Sequence, residues 1–502
     1  MFPAAASLQT GFPLRSNTFQ LLCFFSLTPD TLRFGAWDLR YLISRFVVGG
    51  KWTMPEIAPL KGLLYNQELM AKMDEVITPP FDVISPEEQE MYHKRHPYNM
   101  IRLILGQHKP GDNEEHNWYS RAAEALAAWQ REGVLIQDPK PAFYDYEISY
   151  QESPNLSKTR QGFLCLVKLQ NFSHGSVLPH ERTYEATKSE RLKLMLACNA
   201  NLSQVFALYP DPTHIVKQSL HQGREQGPVF NFTDSNGIHH RMWRVTRAEV
   251  IQKVVECMRD KRLYIADGHH RYETALNYQK LIQQRHPERG ERTLFNYVFM
   301  YLADMHQEGL SILPTHRMFV QLPQFQMDSF LARAADHFEV ERFLFDEAGR
   351  SQMFREFLTA LYSADDRHYI GVYESGAGQF VLLKLRDNVG HESWLAQLES
   401  PLQKLDVVVL TELVLKRLLK VDERTLNDET KIKYRHDALE AVEEVDRGFF
   451  QVAFLLNHTK IEQLQEVANS ALFMPHKSTY FYPKVIDGSV LNLLDPNEDV
   501  QL

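Results

Sequence analysis

The sequence predicts an α/β protein of two domains, and three features lead to this assignment. Its 502 residues exceed what one ordinary hydrophobic core accommodates. Residues 262–276 read RLYIADGHHRYETAL, a buried strand that turns through glycine into a helix. Helical and strand patterns alternate beyond Gln321. We therefore expect a first domain at residues 54–320, which would hold the catalytic site, and a C-terminal α/β domain at residues 321–502.

Composition is typical of a soluble globular protein. Hydrophobic residues make up 44% and charged residues 24% of the chain, and the formal net charge is -9. This acidic balance argues against nucleic acid as a partner. No run of about 18 apolar residues occurs, so we expect no membrane span. The four cysteines form no C-x-x-C pair, which favours a cytoplasmic location over a disulfide framework or a cysteine zinc site.

Residues 1–53 show no clear hydrophobic period, and the apolar run Leu21–Leu27 is short. A secretory signal would need a basic start and a cleavage site of small residues, and Arg15 alone is a poor basic region. We expect Met54 to be the true start, with the first 53 residues being an upstream mistranslation or a disordered extension.

The elements before the glycine turn follow from local patterns. Ser85 predicts a helix N-cap, because Pro86 and two acids come directly after it. The apolar run Met100–Leu105 predicts a strand, and Tyr119–Arg131 predicts an amphipathic helix. Two β-rich runs, Ala142–Tyr150 and Gly162–Leu169, predict a hairpin or neighbouring strands.

The second domain is predicted to alternate helices and strands. Met327–Asp336 and Gly349–Leu361 have helical patterns, and Tyr369–Tyr373 and Phe380–Leu385 have strand patterns. Residues Leu402–Leu419 predict one long amphipathic helix whose apolar stripe faces the core.

Five polar residues lie at the turn between the central strand and its helix: Asp267, Gly268, His269, His270 and Arg271. A strand that turns through glycine into a helix leaves helix amides unpaired and pointing the same way. Arginine can bind a phosphate or carboxylate with two nitrogens, and aspartate can hold a metal or take a proton. The pattern predicts an anion site, and the alternative is a capped helix start with solvated polar residues.

A second polar cluster lies in VLPHERTYEATKSERLKLMLACNAN, residues 177–201. Thr187 is predicted to cap a helix that carries Lys188 and Arg191 in its first turn. Cations at that end oppose the helix dipole unless an anion binds nearby. Glu181 is the first candidate for a general base and His180 for its neighbour, and the alternative is a basic surface helix.

Three further strings carry candidate residues. Asp82 in PPFDVIS is either a partner of the anion site or a turn residue, and His316 in ILPTHR is either a third wall of the site or a strand end. Lys477 and Thr479 in MPHKSTYFYPK would suit an anion, although no G-x-x-x-x-G-K precedes them as in a P-loop. We expect this last segment to fold back onto the site.

These strings resemble known families. ADGHHRYETA resembles the signature of domain-of-unknown-function family 1015, and the similarity runs from about Met54 to the C-terminus. The Gly-His-His-Arg box is similar to the phosphate-binding box of the ParB/sulfiredoxin superfamily, which includes chromosome-partition nucleotidases, sulfiredoxins and free-serine kinases. This second resemblance implies a mixed-sheet ParB/sulfiredoxin-like core.

The resemblance to the free-serine kinases implies a nucleotide-dependent phosphotransferase or phosphohydrolase acting on a small, serine-like hydroxyl compound. Mg²⁺ and ATP, ADP or CTP would be its cofactors. Asp267 and Glu181 would share metal and base duties, with His180 and His270 as further catalytic residues. The residues that would contact the phosphates are Gly268, His269, Arg271, Lys188, Arg191, Lys477 and Thr479.

Other functions remain open at this stage. A ParB-like nucleotide switch on DNA is disfavoured by the acidic charge and by the lack of a clear helix-turn-helix. A sulfiredoxin needs a cysteine where His269 stands, and a zinc hydrolase would have to use His269, His270 and His316. The remaining alternative is a non-catalytic ligand-binding module. The oligomeric state is not predicted.

Overall fold

Two β-sheets of different character organise the chain from Thr53 to Leu502, which forms one compact unit. The computed structural model describes residues 54–323, 325–362, 367–387 and 395–501. The expectations for residues 1–53 lie outside the described residues. The buried apolar side chains of the first sheet and of one face of the second sheet join in one core. The other face of the second sheet forms a smaller apolar cluster with helices Arg350–Leu361 and Ala438–Asp446.

The first sheet is mixed, which confirms the predicted α/β class with a mixed sheet. The strand Leu263–Asp267 runs antiparallel to Val205–Tyr209 and parallel to Val177–Leu178. In spatial order the strands are Val177–Leu178, Leu263–Asp267, Val205–Tyr209, Tyr297–Asp304, Leu156–Lys168, Phe143–Ser153, His239–Val245 and Phe230–Thr233, with Ile57–Ala58 added alongside Leu156–Lys168. The predicted hairpin is therefore present as the antiparallel pair Phe143–Ser153 and Leu156–Lys168.

The second sheet is antiparallel throughout. In spatial order its strands are Phe338–Leu344, Gln379–Leu385, Tyr369–Glu374, Val452–Leu456, His316–Phe319 and Ile432–Arg435. The strand His316–Phe319 thus belongs to the second sheet, although its residues precede the boundary that we expect at Gln321. The boundary between residues 320 and 321 stays a prediction.

Three short two-stranded ladders tie distant segments together. Ser311–Leu313 pairs with Tyr480–Tyr482, and Ala200–Asn201 pairs with Asn492–Leu493. Leu63–Tyr65 pairs with Leu135–Gln137. Through the first two ladders, the last part of the chain lies against residues of the first sheet and its loops.

The helices pack on these sheets, and Ser85 has the predicted capping role. Ser85 Oγ accepts a hydrogen bond from the Glu88 amide at 3.2 Å, and Glu88 Oε2 accepts from the Ser85 amide at 2.8 Å. The α-helices of the described residues are Pro86–Arg95, Ile101–Ile104, Trp118–Arg131, Glu185–Cys198, Ile215–Gly223, Ala248–Met258, His269–Arg285, Met327–Ala334, Arg350–Leu361, Ser400–Gln403, Asp406–Val409, Glu423–Leu426, Ala438–Asp446 and Ile461–Asn469. Short 3₁₀ turns lie at Met73–Glu75, Phe81–Val83, Phe172–His174 and Leu294–Asn296. In the part of the chain that is described, no helix combines the length and apolar character that a membrane crossing requires.

Two local predictions were wrong: the strand at Met100–Leu105 and the helix cap at Thr187. The expected strand Met100–Leu105 is a short helix, Ile101–Ile104, since Asn99 Oδ1 accepts from the Ile101 amide at 3.0 Å. An apolar run alone does not distinguish a buried strand from a buried helix. Thr187 is not a cap, because the helix already begins at Glu185.

The long helix predicted over Leu402–Leu419 is interrupted. It consists of Ser400–Gln403, Asp406–Val409 and a π-helical segment, Leu410–Leu418. Leu405 has an extended backbone at the break. Next to it, Asp406 accepts from His368 Nδ1 at 2.7 Å. The tertiary contact accompanies a break that the apolar stripe does not reveal.

Candidate functional site

The turn after strand Leu263–Asp267 has the geometry of an anion site. Gly268 has φ +90° and immediately precedes helix His269–Arg285. A Cβ at this position would lie 2.9 Å from Arg271 Nε. Glycine is therefore required both for the left-handed backbone and for the close approach of the guanidinium. The first amides of the helix have no intrahelical acceptor and point out of its positive end.

The Asp267 carboxylate lies between two cations. Its Oδ2 accepts from Arg271 Nη2 and its Oδ1 accepts from Lys484 Nζ. The three side chains are 13%, 10% and 11% exposed, respectively. Burial alone would raise the pKa of Asp267, but the charges of Lys484 and Arg271 outweigh burial and hold this pKa well below its usual range. Asp267 is therefore ionised, and both its oxygens are engaged.

Arg271 also connects the turn to a buried acid that we did not predict. Arg271 Nη1 donates to the Gln204 carbonyl, and Gln204 Nε2 lies 3.4 Å from Asp487 Oδ1. Ser203 Oγ donates to Asp487 Oδ2 at 2.6 Å. Asp487 is fully buried, and burial raises its pKa to about 7 despite the opposing charge of Arg271. Its only sequence signal is an isolated acid within the apolar string VIDGSV.

Two histidines join the central motif to the second cluster and to the last segment. The His180 amide donates to His269 Nε2 at 3.2 Å, and His180 Nε2 forms a hydrogen bond with Thr479 Oγ1 at 3.0 Å. Burial lowers the pKa of His180 to about 4 and the pKa of His269 well below its usual value. Both rings are neutral at pH 7, and the acceptor role of His269 Nε2 assigns its proton to Nδ1.

Glu181 and Lys477 have few hydrogen-bond and ion-pair partners among the described residues. Glu181 Oε1 accepts from the Ser478 amide at 3.3 Å, and Met474 N donates to the His180 carbonyl at 2.8 Å. Burial raises the pKa of Glu181, against the opposing charge of Lys477. Lys477 has φ +56° and makes no hydrogen bond or ion pair with any other described residue. The Glu181 carboxyl group therefore contacts the main chain next to Lys477, whose ammonium group has no ion-pair partner among the described residues.

Lys188 and Arg191, both predicted to hold phosphate, already have partners within the protein. Lys188 Nζ lies 2.7 Å from Glu185 Oε1 and 2.7 Å from Glu273 Oε2. Arg191 donates to a main-chain carbonyl at 2.6 Å and stacks 4.0 Å from the centre of the Phe81 ring. Their contacts hold helix Glu185–Cys198 in place. We did not predict the partner acid Glu273.

His270 positions the loop before the same helix. Its Nε2 accepts from the Tyr184 amide at 2.9 Å, and the two rings stack with centroids 6.0 Å apart. Burial lowers the pKa of His270, against the opposing charge of Asp82. The Asp82 side chain is exposed, and its charge also acts on Arg271. The structure thus brings Asp82 to the same site.

The second sheet supplies a further wall. Arg317 Nη2 donates to the His476 carbonyl at 3.0 Å. The neighbouring His316 is buried and accepts from the Leu456 amide at 3.1 Å. The His436 ring stacks on Tyr480 at 3.5 Å, and Lys484 Nζ lies 4.6 Å from the same ring. The motifs around Asp82, His180, Asp267, His316 and Lys477 therefore meet in one region.

The donor set at this region does not form a ready metal site. Across the described ranges, no group of three or more His, Cys, Asp or Glu is arranged to hold a metal ion. Mg²⁺ prefers octahedral oxygen ligands. Both Asp267 oxygens accept from cations, whereas the carboxylate of Glu181, the other predicted metal ligand, accepts a hydrogen bond from the described residues only at Oε1, at 3.3 Å. Asp267 does not fit the predicted role of a magnesium ligand in this arrangement.

A wide cleft lies next to the wall of the site that the second sheet supplies, and His436 is among its lining residues. It has a volume of about 1700 Å³ and lies between helices Arg350–Leu361 and Ala438–Asp446 and strand Ser311–Leu313. None of the predicted site residues lines it. We place the candidate site at Asp267 and Glu181 instead, because perturbed acids and unpaired cations meet there.

Three solved structures are similar to the chain at low levels. A conserved hypothetical protein from Pyrococcus furiosus is 12% identical with a TM-score of 0.31, covering 66% of this chain and 95% of that protein. A free serine kinase in complex with AMP is 12% identical with a TM-score of 0.30, covering 63% and 86%. SbnI with a C-terminal truncation, from Staphylococcus aureus, is 10% identical with a TM-score of 0.32, covering 67% and 90%. No curated protein matches the sequence.

A family model covers most of the chain. The model described as "Protein of unknown function (DUF1015)" matches residues 57–408, which include the central motif and the Glu181 cluster. This match confirms the family expected from the string ADGHHRYETA. The chain therefore belongs to the DUF1015 family.

Proposed function

We propose that the protein transfers a phosphoryl group between a nucleotide and the hydroxyl group of a small molecule. One observation carries the proposal: Glu181, whose pKa is raised by burial, accepts from the amide of Ser478, which follows Lys477, and the neighbouring His180 amide donates to His269 at the helix start. Phosphoryl transfer requires an anchored phosphate, charge stabilisation and a group that takes the proton of the attacking hydroxyl. This site offers groups for each task.

The phosphates of the nucleotide would bind at the helix start. The amides that follow Gly268 point out of the positive end of helix His269–Arg285. Arg271 and Lys484 add two cations, and the Asp267 carboxylate holds both in fixed positions. Asp267 therefore acts in the proposal by positioning these cations, which need no reorganisation when phosphate binds.

The acceptor would bind between this phosphate and Glu181. The Glu181 carboxylate takes the proton of the acceptor hydroxyl while the hydroxyl oxygen attacks the terminal phosphorus. The bond between that phosphorus and the bridging oxygen of the nucleotide breaks, and the shortened nucleotide leaves. Arg271 and Lys484 stabilise the charge on the transferred group, and Lys477 helps to hold the acceptor beside Glu181. Burial raises the pKa of Glu181 toward neutrality, which improves it as a proton acceptor.

The finer identity of the reactants follows only from the resemblance seen in the sequence. It favours a serine-like acceptor and ATP, ADP or CTP as the nucleotide. Mg²⁺ would enter with the nucleotide, and the steps above rely on the chain's own cations. A reaction run with Mg²⁺ and with EDTA tests this expectation directly.

The test is a phosphate-transfer assay on the full chain, read by ³¹P NMR. It combines ATP, ADP or CTP with L-serine, and phosphoserine with ADP in a separate reaction. We expect serine-dependent turnover that Glu181→Gln reduces by about 100-fold or more. Glu256→Gln, an exposed acid on helix Ala248–Met258, is the matched control and keeps the full rate.

The outcomes separate the proposal from its alternatives. Nucleotide hydrolysis without serine would indicate a different acceptor or a nucleotide switch. Absence of both turnover and nucleotide binding would overturn the proposal and favour a ligand-binding module.

A further inference from the structure

Arg317 is a buried cation without a carboxylate partner. Its side chain is only 4% exposed. Nη2 donates to the His476 carbonyl at 3.0 Å, whereas Nη1 has no hydrogen-bond partner among the described residues. No described Asp or Glu forms an ion pair with it, although the Tyr434 phenol and the charge of Glu181 act on it. A buried charge without a partner is energetically unfavourable. An anion that accepts from Nη1 would therefore stabilise this guanidinium.

The groups around Arg317 do not supply that anion. Burial lowers the pKa of His316 to about 3, of His476 to about 3 and of His436 to about 4. All three rings are therefore neutral at pH 7. Lys477 directly follows His476 in the chain and is likewise unpaired. Two cationic groups thus lie near the 476–477 peptide, and no carboxylate in the described ranges forms an ion pair with either.

These cations stand on the Glu181 side of the site. Arg317 Nη2 donates to the His476 carbonyl, and Glu181 Oε1 accepts from the Ser478 amide at 3.3 Å, so both groups contact the main chain on either side of Lys477. The proposed phosphate subsite, at Gly268 and Arg271, has its own cations. An anion held by Arg317 and Lys477 would therefore lie next to the proposed base and would belong to the acceptor.

We infer that Arg317 and Lys477 bind the carboxylate of a short hydroxylated acid and so select the acceptor of the reaction. This inference rests on the proposed function for the identity of the reaction. Nη1 of Arg317 and Nζ of Lys477 supply one charged donor to each carboxylate oxygen. A neutral alcohol of the same size would leave both cations unpaired and would bind more weakly. Free phosphate shares the anionic chemistry and is tested as a separate arm.

The experiment measures binding by titration calorimetry on the full chain, without nucleotide, and turnover in parallel. The probes are L-serine, D-glycerate, serinamide, glycerol and inorganic phosphate. We expect the two acids to bind and serinamide and glycerol to bind at least about 50-fold more weakly. Arg317→Gln should weaken acid binding by a similar factor, and Arg317→Lys should restore part of it. Arg342→Gln, on the far strand Phe338–Leu344 of the same sheet, should bind like the wild type.

Each result has a defined meaning. Arg317-dependent acid binding without turnover would support the inference and contradict the proposed function. Turnover of serine and serinamide with equal KM would overturn the inference and leave the proposed function standing. Absence of acid binding by the wild type, or loss of phosphate binding but not of acid binding in Arg317→Gln, would also overturn it. Should Arg317→Gln fail to fold, Lys477→Met provides the same comparison at a partly exposed position, and unchanged acid binding there would overturn the inference.

Discussion

Asp267 is the residue that holds the charges of the site in place. It pairs with Arg271 and Lys484, and all three side chains are nearly buried. We expect Asp267→Asn to lower the free energy of unfolding by about 3–5 kcal/mol, because two buried cations lose their partner. Urea denaturation at pH 7 measures the change. Asp260→Asn, an exposed acid before the same strand, is the control and should change stability by less than about 0.5 kcal/mol. An equally small effect at Asp267 would contradict the pairing.

Glu181 and Lys477 should govern the pH dependence of turnover. Burial raises the pKa of Glu181, and the charge of Lys477 opposes this rise. The rate should therefore fall as pH drops through a value above the ordinary glutamate pKa of about 4.3. Lys477→Met removes the opposing charge, so the acidic limb of kcat/KM should move to higher pH. A limb that stays in place, or moves to lower pH, would exclude Glu181 as the titrating base.

Asp487 should reduce stability as the pH rises. Burial raises its pKa to about 7 in the folded protein, whereas an unfolded aspartate has a pKa of about 3.9. The folded state then holds a proton that the unfolded state releases, so stability is full below about pH 4 and falls between about pH 4 and 7, by up to about 4 kcal/mol. Asp487→Asn should remove this fall in a series of denaturation curves across that range. A pH dependence identical to that of the wild type would show that the carboxyl titrates normally.

At the scale of elements, the strand-to-helix turn depends on Gly268. Its φ is +90°, and a Cβ would lie 2.9 Å from Arg271 Nε. Gly268→Ala should therefore cost about 1–3 kcal/mol for the backbone and displace Arg271 as well. Gly237 has φ +77° with nothing within 4 Å of the added Cβ, so Gly237→Ala carries the backbone cost alone. Calorimetry should show nucleotide binding weakened in the first variant and retained in the second, and equal binding would contradict the role of the turn.

Elements whose ends are set locally could be predicted from the sequence, and elements set by distant contacts could not. Ser85 was correctly identified as a cap because Pro86 and Glu88 lie beside it in the chain. The sequence predicts a strand where helix Ile101–Ile104 lies, since an apolar run fits both structures. The break at Leu405 lies beside Asp406, which bonds to His368 38 residues away. No local pattern reveals such a contact.

The sequence predicts residues of the candidate site but not the distant residues that pair with them. The strings around Asp267, Glu181 and Lys477 marked residues that do meet. Their partners were not evident, because Lys484 reaches Asp267 across 217 residues of chain. Lys188 was expected to bind phosphate from its place on a helix, yet Glu273, 85 residues away, pairs with it. Buried ion pairs depend on the three-dimensional arrangement, which local patterns do not encode.

For the molecule as a whole, the site is assembled from both sheets and from the last segment. The first sheet supplies Asp267, the second supplies Arg317, and residues 474–487 run between them and contribute Lys477 and Lys484. Glu181 and Lys477 should therefore act as a unit although 296 positions separate them in the sequence.

The acidic net charge of -9 also leads us to expect no salt-sensitive binding to DNA in a gel shift at low salt.

The most direct test of the central claim is a double-mutant cycle on serine-dependent phosphate transfer. It compares wild-type full chain with Glu181→Gln, Lys477→Met and the double variant. If the two groups serve one reaction at one site, each single change should cost most of the rate, and the double change should cost little more. Rates that multiply independently, or turnover unaffected by either change, would contradict a shared site at Glu181 and Lys477.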